Sequence, residues 1–287
     1  MSRPIFLFRE SISPGNSTTF LVKSPNKMNK VCIRAEPLNQ RLIKAIESGK
    51  LGGHIEESEI IKILQYYGWK KSDSRNVWAF GPGEVGPNIL VDKTQGSKFL
   101  RDVQEYIVQG FRWSASEGPL CGEPYYGIKF SLLDCQLHEN ISERGVGQIM
   151  PTMKRACYGA ILSSKPTLLE AIYKIQVIVP EKYVKEIYKV FLKGRRKLLT
   201  AVTTSESAIT VVFGEVPITE SLGITNEIKA RSSGKATLVK VFGHYEGVPG
   251  NPLISDGGLA RQYVEQIRKR KQMQNISPPG PDDYRDE

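Results

Sequence analysis

The stretch AIYKIQVIVPEKYVKEIYKVFL, residues 171–192, decides the fold of the C-terminal half of the chain. Apolar and polar residues alternate over 171–179, which predicts a strand, because successive side chains of a strand point to opposite faces. Pro180 suits the first turn of a helix, and that helix is predicted to end near residue 192. One face of the helix carries four apolar side chains: Tyr183, Ile187, Val190 and Phe191.

The same kind of patterning continues to residue 245. Strands are predicted at 197–202 and 208–216, joined by the polar turn Thr203-Thr204-Ser205-Glu206. Pro217 opens a second predicted helix that ends near residue 231, and residues 236–245 form the last strand. The order β-α-β-β-α-β is the ferredoxin-like split arrangement, a fold that supports many functions and specifies none.

The rest of the chain predicts a second domain and a C-terminal extension. Residues 1–168 are expected to form a mixed α/β domain, and residues 169–246 the ferredoxin-like domain. Residues 247–287 contain a Gly/Pro-rich linker, a helix over 258–273 and a polar tail. In the first domain, the predicted strands are 5–9, 31–36, 88–91 and 127–137, and the predicted helices are 39–47, 56–67, 96–115 and 148–163. The fold class is therefore α+β.

The composition of the chain limits the classes of partner that it is expected to bind. The chain has 287 residues and a net charge of +10, which favours a polyanionic partner, either nucleic acid or a membrane surface. No apolar run approaches the ~20 residues that cross a bilayer, and the N-terminus lacks a secretion signal. We therefore expect a cytoplasmic protein without membrane attachment. The widely spaced cysteines predict reduced thiols: Cys32, Cys121, Cys135 and Cys157.

Motifs for catalysis are missing from the sequence. No phosphate-binding loop ending in Lys-Ser/Thr is present, and the glycine cluster at 81–86 contains a proline that removes a donor N–H. The three histidines (His54, His138 and His244) stand far apart and do not predict a metal site. We expect this chain to be no enzyme by itself and to bind no cofactor.

Two polar loops, residues 24–30 and 137–148, are the candidate binding site. If both lie at one end of the first domain, Lys27, Lys30 and Arg144 would form a cationic tip that binds phosphates. Asn26, Asn29 and Gln148 could hydrogen-bond to base or ribose edges, and the glycines would allow sharp turns. The alternative is a pair of solvated surface loops. The residues expected to face RNA are Ser24, Pro25, Asn26, Lys27, Met28, Asn29, Lys30, His138, Glu143, Arg144, Gly145, Gly147 and Gln148.

Two basic clusters, residues 193–197 and 268–271, admit two interpretations. They could face phosphates, or they could stabilise the helix C-termini near which they lie.

Short motifs in a fixed order across nearly the whole chain carry a family resemblance. They include SPNK at 24–27, AEP at 35–37, YGW at 67–69, FGP at 80–82, GPN at 86–88, LH at 137–138, RG at 144–145, GQI at 147–149, EVPITES at 215–221 and IRKRK at 267–271. In this set and order the chain resembles the C-terminal part of translation elongation factor 2, the archaeal and eukaryotic counterpart of elongation factor G.

The resemblance implies the fourth and fifth domains of a five-domain translocase, with the C-terminal helix packing near the fourth. In the family, the tip of the fourth domain enters the decoding region of the ribosome while transfer RNA and messenger RNA move. The fifth domain approaches large-subunit RNA. The intact family protein is a ribosome-dependent GTPase, so GTP and Mg²⁺ are expected only in the missing GTPase domain. A monomer that binds ribosomal RNA is expected.

Two positions depart from the family pattern. The family loop reads L-H-x-D-x-x-H-R-G, and its second histidine is converted to diphthamide. That position aligns with Glu143, whose side chain lacks the imidazole carbon on which diphthamide is built. His138 matches the first histidine, which is not modified. Met28 stands where the other tip loop usually has histidine.

Glu143 places negative charge where diphthamide would carry positive charge. Tip engagement with RNA is then either weakened or altered, or it persists because Lys27, Lys30 and Arg144 screen the carboxylate.

Two other classes of protein remain open. One is a related GTPase of the spliceosome or of ribosome maturation, and the sequence EGPLC at 117–121 resembles the spliceosomal branch. The other is a stand-alone RNA-binding module.

Overall fold

The computed structural model describes residues 7–15, 17–204 and 208–286, which form two compact units. The first unit comprises Arg9–Leu168 and Pro249–Glu287, and the second comprises Leu169–Val248 with the described residues before Arg9. The strands are β1 Phe8–Ile12, β2 Thr19–Lys23, β3 Lys30–Pro37, β4 Val77–Gly81, β5 Asn88–Asp92, β6 Ile128–Gln136, β7 Pro166–Pro180, β8 Lys197–Thr204, β9 Ile209–Pro217 and β10 Thr237–Gly247. The helices are α1 Gln40–Glu47, α2 Glu57–Tyr66, α3 Lys71–Arg75, α4 Leu100–Ser116, α5 Val146–Leu162, α6 Val184–Phe191, α7 Ile224–Arg231 and α8 Gly258–Arg270.

A mixed sheet organises the first unit. Its strand order is β2-β3-β6-β5-β4, and only the β5–β6 pair among these neighbours is parallel. Helix α4 joins those two parallel strands, as a parallel connection requires. This βαβ unit, with an antiparallel β2–β3 hairpin at one edge, is the mixed α/β domain that the sequence predicts.

Helices α4 and α5 pack together against this sheet. Both contribute to a single buried cluster, in which Phe111 of α4 and Met153 of α5 are fully buried. Gly110 permits the close approach of the two helices, because a Cβ atom there would lie 2.5 Å from the carbonyl oxygen of Met150. Helix α5 also packs on the β2–β3 hairpin, where the ring of Phe20 fills the space beside Gly159.

The C-terminal segment returns to the first unit. Arg268 of α8 is buried and donates to the carbonyl oxygens of Pro119 and Leu120 at 3.3 and 2.8 Å. Beyond α8, a single 3₁₀ turn at Pro281–Tyr284 packs on α5, with the Tyr284 ring 5.5 Å from that of Tyr158. The expected packing of the C-terminal helix on the first domain is therefore confirmed.

The second unit has the predicted ferredoxin-like fold. Its antiparallel strands lie in the order β10-β7-β9-β8, with α6 between β7 and β8 and α7 between β9 and β10. Alternate residues of β7, including Ile175, Val177 and Val179, are buried in a cluster with Ile187 and Val190 of α6. The alternation seen in the sequence thus marks the face of the sheet that the helices cover.

Several boundaries differ from the predictions. Pro180 ends β7 rather than opening a helix, and a short 3₁₀ turn precedes α6. Helix α4 begins at Leu100 rather than residue 96, because Phe99 adopts a left-handed conformation with φ of 61°. Strands β2 and β4 and helix α3 are additions to the predicted elements. Residues 5 and 6 of the first predicted strand and residues 205 and 206 of the predicted turn lie outside the described residues, while Thr203 and Thr204 belong to β8.

In the described part of the chain, no helix combines the length and the apolar character that a membrane span requires.

Candidate nucleic-acid interface

The two candidate loops lie against each other at one end of the first unit. The first loop is the tip of the β2–β3 hairpin, and the second follows β6 and leads into α5. β3 pairs with β6 in antiparallel fashion, with Lys30 opposite Gln136. This register brings the start of β3 and the end of β6 together. We call the assembly of residues 24–30 and 137–148 the tip.

Asn26 connects the two loops through both its backbone and its side chain. Its backbone N–H donates to Oε1 of Gln148 at 3.0 Å. Its Nδ2 donates to the backbone oxygen of Glu143 at 2.9 Å and to the Glu143 carboxylate at 3.1 Å. Glu143 is thus held inside the tip by an amide, and no ion pair to it is found among residues 7–15, 17–204 and 208–286.

Asn29 makes a second connection and is fully buried. Its Nδ2 donates to the Glu143 backbone oxygen at 2.8 Å, and its Oδ1 accepts from the backbone N–H of His138 at 3.0 Å. The buried Ser24 hydroxyl accepts from the Asn29 backbone N–H at 3.0 Å. Asn29 therefore fixes the shape of the tip and presents no free edge for a base.

Arg144 lies inside the protein, which corrects the expected cationic tip. Its side chain is buried; Nη1 donates to the backbone oxygens of His138 and Glu139 at 2.9 and 2.6 Å, and Nη2 pairs with Asp102 at 2.8 Å. The guanidinium also lies 4.3 Å from the centre of the Phe99 ring. Its charge holds the second loop on α4, so Arg144 does not face outward, and its ion pair is with Asp102 rather than with Glu143.

The end of the hairpin is exposed, as are residues 139–142, 146 and 147 of the second loop. Pro25 and Lys27 are exposed, Met28 is 50% exposed, and Lys30 is half-buried. Lys27 has a left-handed backbone with φ of 60°, which reverses the chain between the paired strands. The surface that the hairpin end offers to a ligand therefore combines two lysines with an apolar methionine.

The glycines of the second loop act differently from the prediction. Gly145 is the N-cap of α5 with φ of −66°, and Gly147 and Gln148 lie in the first turn of that helix. A 3₁₀ turn at Ile141–Arg144 makes the reversal instead, capped by the Asn140 side chain on the N–H of Ser142.

Models of two known domain families match the chain. The family model described as elongation factor G, domain IV matches residues 54–165, and the one described as elongation factor G C-terminus matches residues 167–254. The chain belongs to the elongation factor G/elongation factor 2 family. It carries a C-terminal part of such a factor, and the two matches meet near the start of β7.

The first basic cluster of this elongation factor chain is paired with carboxylates. Arg195 forms an ion pair with the buried Glu170, and Arg196 pairs with Glu227 at 3.0 Å. Lys193 also reaches Glu227, at 2.6 Å. These charges connect elements of the second unit, which gives the cluster a structural role.

The second basic cluster is also bound to protein groups. Arg268 donates to backbone oxygens, as described above, and Lys271 pairs with Glu123 at 2.8 Å. Arg270 lies 3.8 Å from the same carboxylate, while Lys269 is exposed.

Sequence reasoning missed two residues that shape the tip, Asp102 and Phe99. Phe99 directly precedes α4 and Asp102 lies in its first turn. Both are distant from Arg144 along the chain. The first-turn acid of α4 is a signal only of helix capping, so the sequence could not reveal its partner. In the described residues, no group of three or more His, Cys, Asp or Glu side chains could hold a metal ion.

Proposed function

We propose that this chain is the ribosome-engaging part of a translocase of the elongation factor 2 type. Its tip would approach transfer RNA and messenger RNA in the decoding region. The observation that supports this most is the side-chain network of Asn26 and Asn29, which joins the two loops into one structure. Such a fixed network reduces the ordering that binding would otherwise require.

The chemistry of the exposed hairpin suits a nucleic-acid backbone. Lys27 and Lys30 are the tip cations that remain accessible, and each can act as a point charge for a phosphate. Met28 offers a flexible apolar side chain to a base or a sugar. We therefore assign RNA contact to residues 25–28 and 30, and a supporting role to Ser24, Asn29 and Arg144.

The tip works without diphthamide in this proposal. Glu143 occupies the equivalent position, and its carboxylate accepts from Asn26 instead of extending toward RNA. The hydrogen bond from Asn26 also keeps the Glu143 carboxylate beside the hairpin. Tip engagement would accordingly persist with a geometry set by Glu143, and GTP and Mg²⁺ would be bound by the GTPase domain of the intact protein.

The sequence EGPLC, which resembles the spliceosomal branch, has a structural role here. The backbone N–H groups of Leu120 and Cys121 donate to the buried Glu10 carboxylate at 2.8 and 2.9 Å. The same carboxylate occupies the space where a Cβ atom of Gly118 would lie. Because packing on Glu10 accounts for this loop, it carries little weight for the spliceosomal alternative.

Sedimentation of the chain with ribosomes over a series of salt concentrations tests the proposal. Lys27→Ala should weaken binding and lower the slope of log K against log salt by about one unit, since one phosphate contact is lost. Lys50→Ala, at an exposed position just after α1, is the matched control and should leave the slope unchanged. Equal slopes for Lys27→Ala and the unaltered chain would refute the assignment of Lys27 to RNA.

A further inference from the structure

The C-terminal tail lies along the seam between β2 and α5. Its 3₁₀ turn contacts α5, and the guanidinium of Arg285 lies 5.9 Å from the centre of the Phe20 ring on β2. The tail thus touches both elements that support the tip.

Asp286 joins these two elements directly. Its carboxylate accepts from the backbone N–H of Lys23 and from Nη2 of Arg155, the latter at 3.0 Å. Arg155 also donates to the backbone oxygens of Lys23 and Tyr284, both at 3.5 Å. One ion pair therefore connects β2, α5 and the tail.

The position of this bridge along the chain gives it a functional meaning. Lys23 is the last residue of β2, and the tip begins at the next residue, Ser24. Arg155 lies on α5, whose first turn belongs to the second tip loop. The hydrogen bond between Asn26 and Gln148 also joins the hairpin to α5, but it lies within the tip itself. Asp286 fixes the base of the hairpin to the helix that carries the second loop.

We expect the ion pair between Asp286 and Arg155 to remain formed at neutral pH. β2 lies at the edge of the sheet that the described residues form, and the backbone N–H of Lys23 donates to the Asp286 carboxylate. Burial opposes the charge on Asp286, but the Lys23 N–H and Arg155 outweigh it and lower the pKa of the carboxyl group. The carboxylate is then charged over the physiological range.

We propose that the C-terminal tail positions the tip, with Asp286 as the positioning residue that ties Lys23 to Arg155. Release of the tail loosens the hairpin that presents Lys27 and Met28. The consequence for RNA binding rests on the proposed function, whereas the consequence for tip order does not. The tail would thus determine how rigidly the tip is held.

Hydrogen–deuterium exchange of the free chain tests the structural half. Asp286→Asn should raise exchange in residues 24–30 by about two- to fivefold, the effect of losing a partly exposed ion pair. Asp282→Asn is the matched control, because its side chain is 86% exposed and pairs within the tail, with Arg285 at 3.5 Å. Unchanged exchange at the tip in Asp286→Asn would overturn the proposal.

Two further variants separate positioning from a general loss of stability. Asp286→Glu should restore most of the protection, since it keeps a carboxylate. Arg155→Met should raise exchange in residues 24–30 at least as much as Asp286→Asn, because Arg155 also donates to Lys23 and Tyr284. The double variant should show less than the sum of the two single effects. Additive effects, or a rise in exchange throughout the first unit, would show a merely structural contact and overturn the positioning role.

Ribosome sedimentation tests the functional half. Asp286→Asn should weaken binding severalfold without changing the salt slope, because no phosphate contact is removed. A loosened tip with unchanged binding would overturn the link between tail and function. If the unaltered chain does not bind ribosomes, the proposed function fails while the exchange experiment still decides the role of the tail.

Discussion

Replacement of Arg144 by alanine is the sharpest test of how the tip is held. The change removes two hydrogen bonds to the backbone oxygens of His138 and Glu139, the ion pair with Asp102 and the contact with the Phe99 ring. We expect the second tip loop to detach from α4 and the first unit to lose stability.

The expected loss is about 3 kcal/mol. A hydrogen bond from a charged donor contributes roughly 1.5–3 kcal/mol, but His138 and Glu139 lie near the surface, where water can replace part of this. The pair with Asp102 adds less than about 1 kcal/mol, since the Asp102 side chain is 47% exposed. For a unit of this size the loss corresponds to a fall in Tm of roughly 6–12 °C.

Calorimetry of the two variants Arg144→Ala and Lys27→Ala measures the difference. Lys27 is exposed, so its replacement should shift Tm by less than about 2 °C. Arg144→Lys should fall between the two, because lysine keeps the charge but lacks the planar fork that reaches the two carbonyls and Asp102. If Arg144→Ala also shifts Tm by less than about 2 °C, then Arg144 is not the anchor of the loop and our account of the tip is wrong.

Three further predictions concern other charged groups. With diphthamide-synthesis enzymes present, a toxin that ADP-ribosylates diphthamide should leave the chain unlabelled, because Glu143 lacks the imidazole carbon; a labelled peptide from 137–148 would contradict the alignment. Burial raises the pKa of Glu10 to about 7 against three backbone N–H donors. Since this folded-state pKa exceeds the unfolded value near 4.5, the free energy of unfolding should fall by about 3 kcal/mol as pH rises from 4.5 to 7. Denaturant titrations should show this fall lessened in Glu10→Gln, and an equal pH dependence in both proteins would refute it. Arg195→Ala should destabilise the second unit by about 3–5 kcal/mol, since it leaves the buried Glu170 carboxylate with the Thr219 hydroxyl but without its charged partner. Calorimetry of Arg195→Ala together with Glu170→Gln should show that part of the loss is recovered.

The second unit could be predicted closely because its signals are local. Alternation in β7 and the helical spacing of Ile187 and Val190 follow directly from which face is buried. The short strands β2 and β4 escaped prediction, although β5, which has the same length, was predicted at 88–91. The start of α4 was misplaced because nothing local marks Phe99 as left-handed.

The meeting of the two candidate loops was predicted correctly, whereas the exposure of their side chains was predicted only in part. Polar side chains and a family motif mark both loops in the sequence. The two loops lie together because β3 pairs with β6. The burial of Arg144 and Asn29 depends on partners far away in sequence, so a polar loop residue there resembles an exposed one. The Asp286 bridge to Lys23 spans most of the chain and could not be inferred from any local pattern.

Site-specific photocrosslinking to the ribosome tests whether the hairpin end contacts RNA. A photoreactive residue at position 28, which is 50% exposed in the tip, is compared with one at position 66, where Tyr66 is 85% exposed on α2. We expect crosslinks from position 28 to RNA of the decoding region, and none there from position 66. Crosslinks to the decoding region from position 66 and not from position 28 would contradict it.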